Sequence, residues 1–86
     1  MKVMIPSPLY DYTGGDYEVD VDASNLAGLM TELERRYPGI RFRMVNEQDA
    51  LRGHMRIFIN GVSVRDMNAV LKPQDEVFIV QALSGG

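Results

Sequence analysis

The chain has 86 residues, 45% of them hydrophobic and 24% charged, with a formal net charge of −3 and no cysteine. That length supports one domain with its own core, expected over residues 1–86 with 84–86 as a flexible tail. Disulfides, thiolate metal sites and a cysteine nucleophile are excluded, and the acidic balance argues against non-specific nucleic-acid binding, which needs a basic footprint.

Lys2-Val3-Met4-Ile5 reads as a first strand, stopped by Pro6 and Pro8, which donate no backbone N–H. This start is too short for a secretory signal, and no apolar run approaches the length of a membrane span, so the expectation is an intact cytoplasmic chain with no membrane partner. Leu9 to Gly15 reads as loop. Its Gly14-Gly15 pair fits neither phosphate-binding fingerprint and serves as turn glycines. Tyr17-Glu18-Val19-Asp20-Val21-Asp22 alternates, with Tyr17, Val19 and Val21 on one face of a second strand.

Ser24 suits an N-cap for a helix running to about Tyr37. Leu26, Leu29, Met30 and Leu33 fall at i, i+3, i+4 and i+7, one apolar face. Glu32 and Arg36 stand at the favourable i, i+4 spacing. Gly28 inside the helix suggests a close approach to the sheet, and Pro38-Gly39 ends the helix. Between Ile40 and Gly53 the pattern is weakest, with a short helical turn around Phe42, Met44 and Val45. From His54 to Asn60 alternation returns, Asn60-Gly61 signals a type I′ hairpin, and Val62-Ser63-Val64 is the return strand. Asp66 to Leu71 is a connector, Lys72-Pro73-Gln74-Asp75 suits a β-turn, and Glu76 to Leu83 is the last strand.

The order β-β-α-β-β-β with one main amphipathic helix predicts a two-layer α+β fold, a mixed sheet covered on one face. The first and last strands are the most apolar and belong at the centre. Val77 and Ile79 would face the helix. Phe78, Val80 and Ala82 would face away from it, together with Met4 and Phe58, as an apolar patch fit for a partner and continuous with Leu83. Seven acidic and no basic residues lie between Val3 and Glu34, whereas basic residues dominate from Arg35 to Lys72. Folding is expected to intermix these signs, with Arg35, Arg36, Arg41 and Arg43 the alternative as a basic patch. No nucleophile–base pair stands out: His54 is the sole histidine, and Asp75 and Glu76, adjacent in a strand, point apart and make no metal site.

The chain ends Ser84-Gly85-Gly86. Glycine carries no Cβ, so this arm is thin and its acyl carbon unhindered, able to thread a narrow channel in an enzyme. Its carboxylate is ionised at neutral pH and needs activation before it can react.

Five fragments, in this order and spacing, carry a resemblance: Tyr12-Thr13-Gly14-Gly15, Tyr37-Pro38-Gly39-Ile40, Arg56 to Gly61, Leu71 to Val77 and Ala82 to Gly86. Together they resemble the prokaryotic ubiquitin-like sulfur-carrier family of MoaD, ThiS and CysO, nearest the MoaD and CysO branch. Tyr10 departs from it, standing where many relatives carry arginine. The resemblance implies a β-grasp (ubiquitin-like) fold and a carrier rather than an enzyme, with no bound cofactor. An E1-like adenylating enzyme of the MoeB or ThiF type would dock on Met4, Phe58, Phe78, Val80, Ala82 and Leu83 and take the Ser84-Gly85-Gly86 tail. Using ATP, it would adenylate Gly86. Sulfur would then displace AMP to leave a C-terminal 1-thioglycine thiocarboxylate for a sulfur-accepting biosynthetic enzyme making a cofactor, amino acid or siderophore. Two alternatives share the tail chemistry: the small subunit of molybdopterin synthase, in which Phe58 and Phe78 would also dock the large subunit, and a ubiquitin-like modifier forming isopeptide bonds. A plain β-grasp binding module with an incidental tail is a further reading.

Overall fold

Period-two segments become strands and the period-3.6 segment becomes the main helix. The computed structural model describes residues 1–82. Its strands are β1 (Lys2–Met4), β2 (Glu18–Asp20), β3 (Met55–Ile59), β4 (Val62–Val64) and β5 (Glu76–Gln81). Its α-helices are α1 (Tyr10–Thr13), α2 (Leu26–Arg36) and α3 (Ile40–Met44). The sheet order is β2-β1-β5-β3-β4. β5 holds the middle, parallel to β1 on one side and antiparallel to β3 on the other. This is the mixed, five-stranded β-grasp arrangement that the fragments imply.

The helix α2 buries Leu26, Leu29, Met30 and Leu33 completely. They meet the inward residues of the sheet, Val3, Val19, Met55, Ile57, Val77 and Ile79, in one core that Ile40, Met44, Val45 and Leu71 extend. Each such side chain, fully buried, contributes about 1.5–3 kcal/mol against staying in water.

Several local expectations are corrected. Leu9 to Gly15 is not open loop. A 3-10 turn over Ser7–Leu9, started by Pro8, leads into α1, and Leu9 and Thr13, four apart, both turn into the interior. Gly14, left-handed at φ 66°, closes this turn. Tyr17 is 63% exposed rather than core, because β2 begins only at Glu18. The N-cap of α2 is Asn25, whose side-chain Oδ1 accepts the Gly28 N–H at 2.7 Å. Ser24 instead gives its carbonyl to the Leu71 N–H. Gly28 stands close to that capping oxygen, 3.1 Å from where a Cβ would lie, and not to the sheet. The connector after β4 completes the cap: Leu26 N–H donates to the Ala69 carbonyl and Ala27 N–H to the Met67 carbonyl. Glu32 reaches Arg36 only at 3.9 Å and takes its nearer bond from Arg35 Nε at 2.9 Å.

Two of the family-like fragments meet in space. Gly39 has φ 98°, and a Cβ there would stand 3.1 Å from Tyr12 Cε1, so the turn before α3 needs glycine both for its backbone and for the Tyr12 ring. Glu34 binds the same turn, accepting the N–H groups of Gly39 (2.9 Å) and Arg41 (3.0 Å), and these bonds hold its carboxyl below the usual glutamate range.

The hairpin is tied to β5 by a second carboxylate. Asn60 and Gly61 both take positive φ, 51° and 84°, as a type I′ turn requires. Asn60 Nδ2 donates to Asp75 Oδ1 at 2.8 Å, Lys72 N–H donates to Asp75 Oδ2 at 2.9 Å, and Glu76 N–H donates to Asn60 Oδ1 at 2.9 Å. The Lys72 bond, then the Asn60 bond, lowers the Asp75 carboxyl from its ordinary value. In the unfolded chain it returns to about 3.9, so this contribution is complete above about pH 5 and is lost as pH falls toward the lower, folded value. Urea titrations from pH 7 to pH 2 check this. Asp75→Asn is expected to lower the midpoint at pH 7, and the gap from wild type is expected to close as the medium becomes acid.

Candidate functional site

Because β5 is central, its alternation creates two different faces. Val77 and Ile79 are buried against α2, whereas Phe78 and Val80 are 42% and 41% exposed on the opposite side. The registers then assemble a row across the sheet. Met4 stands beside Phe78 on β1, Phe58 stands beside Phe78 on β3, and both are half-buried. Beyond them the row turns polar, with Glu18 opposite Met4 and Ser63 opposite Phe58. Arg56, opposite Val80, bounds it toward the end of β5, and Lys2 opposite Glu76 toward the start. An apolar centre with a polar rim is the composition of a protein-docking surface.

Ala82 continues the parity of Phe78 and Val80 one step past the strand, and its N–H donates to the His54 carbonyl at 2.7 Å. Five expected interface residues, Met4, Phe58, Phe78, Val80 and Ala82, therefore fall on one side of the sheet. Leu83, Ser84, Gly85 and Gly86 lie outside the described residues.

Three of the four arginines of the alternative basic patch, Arg35, Arg36 and Arg41, stand in ion pairs. Arg35 pairs with Glu32, and Arg41 binds Asp49 at 2.8 Å. Glu32 comes from the acidic half, whereas Asp49 belongs to the basic stretch itself, so the two halves neutralise each other only in part. The sequence pattern leaves Arg65 unmarked and names Arg56 only within a family-like fragment. Arg65 donates to the carbonyls of Leu51, Arg52 and Met55 at 2.8–3.0 Å, and Arg56 donates to those of Gly53 and Met55. Together they fix the irregular segment 51–55 against which Ala82 is bonded. No periodicity announces such a clamp, since its partners are backbone carbonyls up to 14 residues away. Among the described residues no cluster of three His, Asp or Glu could hold a metal ion, and no helix is long and apolar enough to cross a membrane.

Comparison with known proteins decides the family. The ThiS family model matches residues 3–86. The chain belongs to the ThiS family. Within reach of that family, it is 29% identical over 91 residues to the sulfur carrier protein CysO of Mycobacterium tuberculosis, covering 100% of this chain and 98% of CysO. A chain in the crystal structure of the Amycolatopsis orientalis BexX/CysO complex superposes with a TM-score of 0.91 at 30% identity, covering 99% of this chain and 98% of that one. The solution structure of small archaeal modifier protein 1 from Methanosarcina acetivorans superposes with a TM-score of 0.83 at 26% identity, covering 99% of this chain and 94% of that one. Each of these likenesses covers nearly the whole of both chains.

Charge-assisted bonds of the Arg65 kind contribute about 1–2 kcal/mol where they remain partly solvated. Arg65→Met is expected to cost roughly that in folding stability. Amide hydrogen exchange should show the loss as faster exchange at Met55 and Ala82, with Val77 and Ile79 unchanged.

Proposed function

We propose that this ThiS-family chain is a sulfur carrier whose reacting atom is the acyl carbon of Gly86. The observation that carries the reading is the family match through to Gly86, joined to full-length likeness to CysO sulfur carriers. The arrangement of this chain supports it. The outer face of Met4, Phe58, Phe78 and Val80 would dock an E1-like adenylating enzyme of the MoeB or ThiF type, and β5 would aim the tail into that enzyme's channel.

The chemistry follows from the carboxylate. A Gly86 oxygen attacks the α-phosphorus of ATP in the partner enzyme, forming the acyl-adenylate and releasing pyrophosphate. A sulfide-equivalent nucleophile then attacks the acyl carbon and expels AMP, leaving a thiocarboxylate, the covalent 1-thioglycine. The absence of a Cβ at Gly85 and Gly86 keeps both approaches open. The carrier would thus be a co-substrate, with the sulfur passed to a biosynthetic enzyme that holds an electrophilic acceptor. The likeness to CysO favours this reading over the small subunit of molybdopterin synthase and over a protein modifier.

Intact-mass analysis tests it. After incubation with a cognate E1-like enzyme, ATP and a sulfur donor, the chain is expected to gain about 16 Da, sulfur replacing oxygen, and a Gly86-deleted chain to gain nothing. An unchanged mass beside new lysine adducts carrying a Gly-Gly remnant would overturn the carrier reading in favour of a modifier.

A further inference from the structure

A cleft of about 300 Å³ opens beside the end of β5, lined by Phe42, Arg43, Glu47, Arg52 and His54. It is distinct from the apolar sheet face and has no part in the docking described above. We propose that it is a latch for the chain's own C-terminal carboxylate, holding the Gly86 end against the body of the protein until a partner withdraws it.

Three observations point there. The first is position. The Ala82 N–H is bonded to the carbonyl of His54, a wall of the cleft, so the last described residue stands at the cleft's edge. The four residues beyond Ala82 span at most about 14 Å, more than enough to turn back into it. The second is charge. Two arginines line the cleft against one acid, Glu47. Arg43 makes no ion pair among the described residues, in contrast to Arg35, Arg36 and Arg41. The third is geometry. Arg52 Nε donates to the Phe42 carbonyl at 2.7 Å, and its Cζ lies 4.6 Å from the centroid of the Phe42 ring. That pair of contacts fixes the guanidinium plane. Its two terminal nitrogens have no hydrogen-bond partner among the described residues, and a fixed guanidinium edge matches a carboxylate bidentately. Phe42 itself is 60% exposed, leaving apolar area at the rim where Leu83, the tail's one large apolar residue, would pass.

The contact would be reversible. Exposed ion pairs are weak, and a short tether supplies a millimolar local concentration, so the bias toward the latched state is about two- to five-fold. An enzyme that binds the tail along its length overcomes such a bias easily. The latch needs only the carboxylate. Its use in sheltering a thiocarboxylate from stray nucleophiles rests in addition on the sulfur-carrier reading.

Nuclear magnetic resonance on the full chain tests the latch without ATP, sulfur or partner, so its failure and that of the carrier reading are separable. The comparison is between the natural Gly86 carboxylate and a semisynthetic Gly86 carboxamide. Expected are shifted guanidinium nitrogen and Phe42 ring resonances on amidation, faster motion at Gly85, and the same changes in the carboxylate form at 1 M salt, where screening shortens to about 3 Å. Resonances of Val77 and Ile79 should stay in place, showing the fold intact. Unchanged Phe42, Arg43 and Arg52 resonances, with Gly85 equally mobile in both forms, would overturn the proposal.

Discussion

Everything in this molecule depends on burying one side of β5 and leaving the other open. A single main helix of eleven residues can cover only one face of a five-stranded sheet. Val77 and Ile79 consequently disappear into the core, and Phe78 and Val80 remain on the surface although they are as apolar as their neighbours. Were the register of β5 shifted by one residue, the two sets would change places and the core would fail. The uncovered apolar face is therefore inseparable from the folding of the strand that carries it.

The rest of the chain holds that strand in register from both ends. At its start, Asp75 and Asn60 lock the hairpin turn to the first residues of β5. At its end, Arg65 and Arg56 stiffen the segment to which Ala82 is bonded. Between them β3 pairs with β5 from Val77 to Gln81, and β1 pairs with its first half, Glu76 to Phe78. Ala82, the last described residue, is accordingly held at a fixed point by its bond to the His54 carbonyl. For a group that must enter another protein's channel, a fixed origin with a thin, unbranched arm limits the search to a few rotatable bonds.

Legibility followed the range of the interactions. The face of α2, the Asn60-Gly61 turn and the inward and outward residues of β5 were readable because each is fixed by periodicity or by a turn's demand for positive φ. Leu9 to Gly15 was not, because Pro6 and Pro8 before it and its own two glycines read as loop, while Leu9 and Thr13, buried four residues apart, are too few to establish a helical period. Ser24 and Asn25 are both good caps, and the choice between them was made by the distant connector, which takes the Ser24 carbonyl and supplies acceptors for α2. Tyr17 lost its place in the core because β2 is a short edge strand. The arginine clamp around 51–55 had no local signal at all. Of the candidate site, Met4, Phe58, Phe78, Val80 and Ala82 could be placed on one face from parity alone, whereas the cleft of Phe42, Arg43 and Arg52 depends on a turn of chain that no pattern predicts.

On the proposed function, the uncovered face of β5 and its neighbours receives the partner that takes the tail. Hydroxyl-radical footprinting of the chain alone and in complex with an E1-like adenylating enzyme measures this directly. Protection of Met4, Phe58 and Phe78 on binding, with Tyr17 oxidised equally in both states, is the predicted result. Equal oxidation of Met4, Phe58 and Phe78 in the free and bound chain would contradict it.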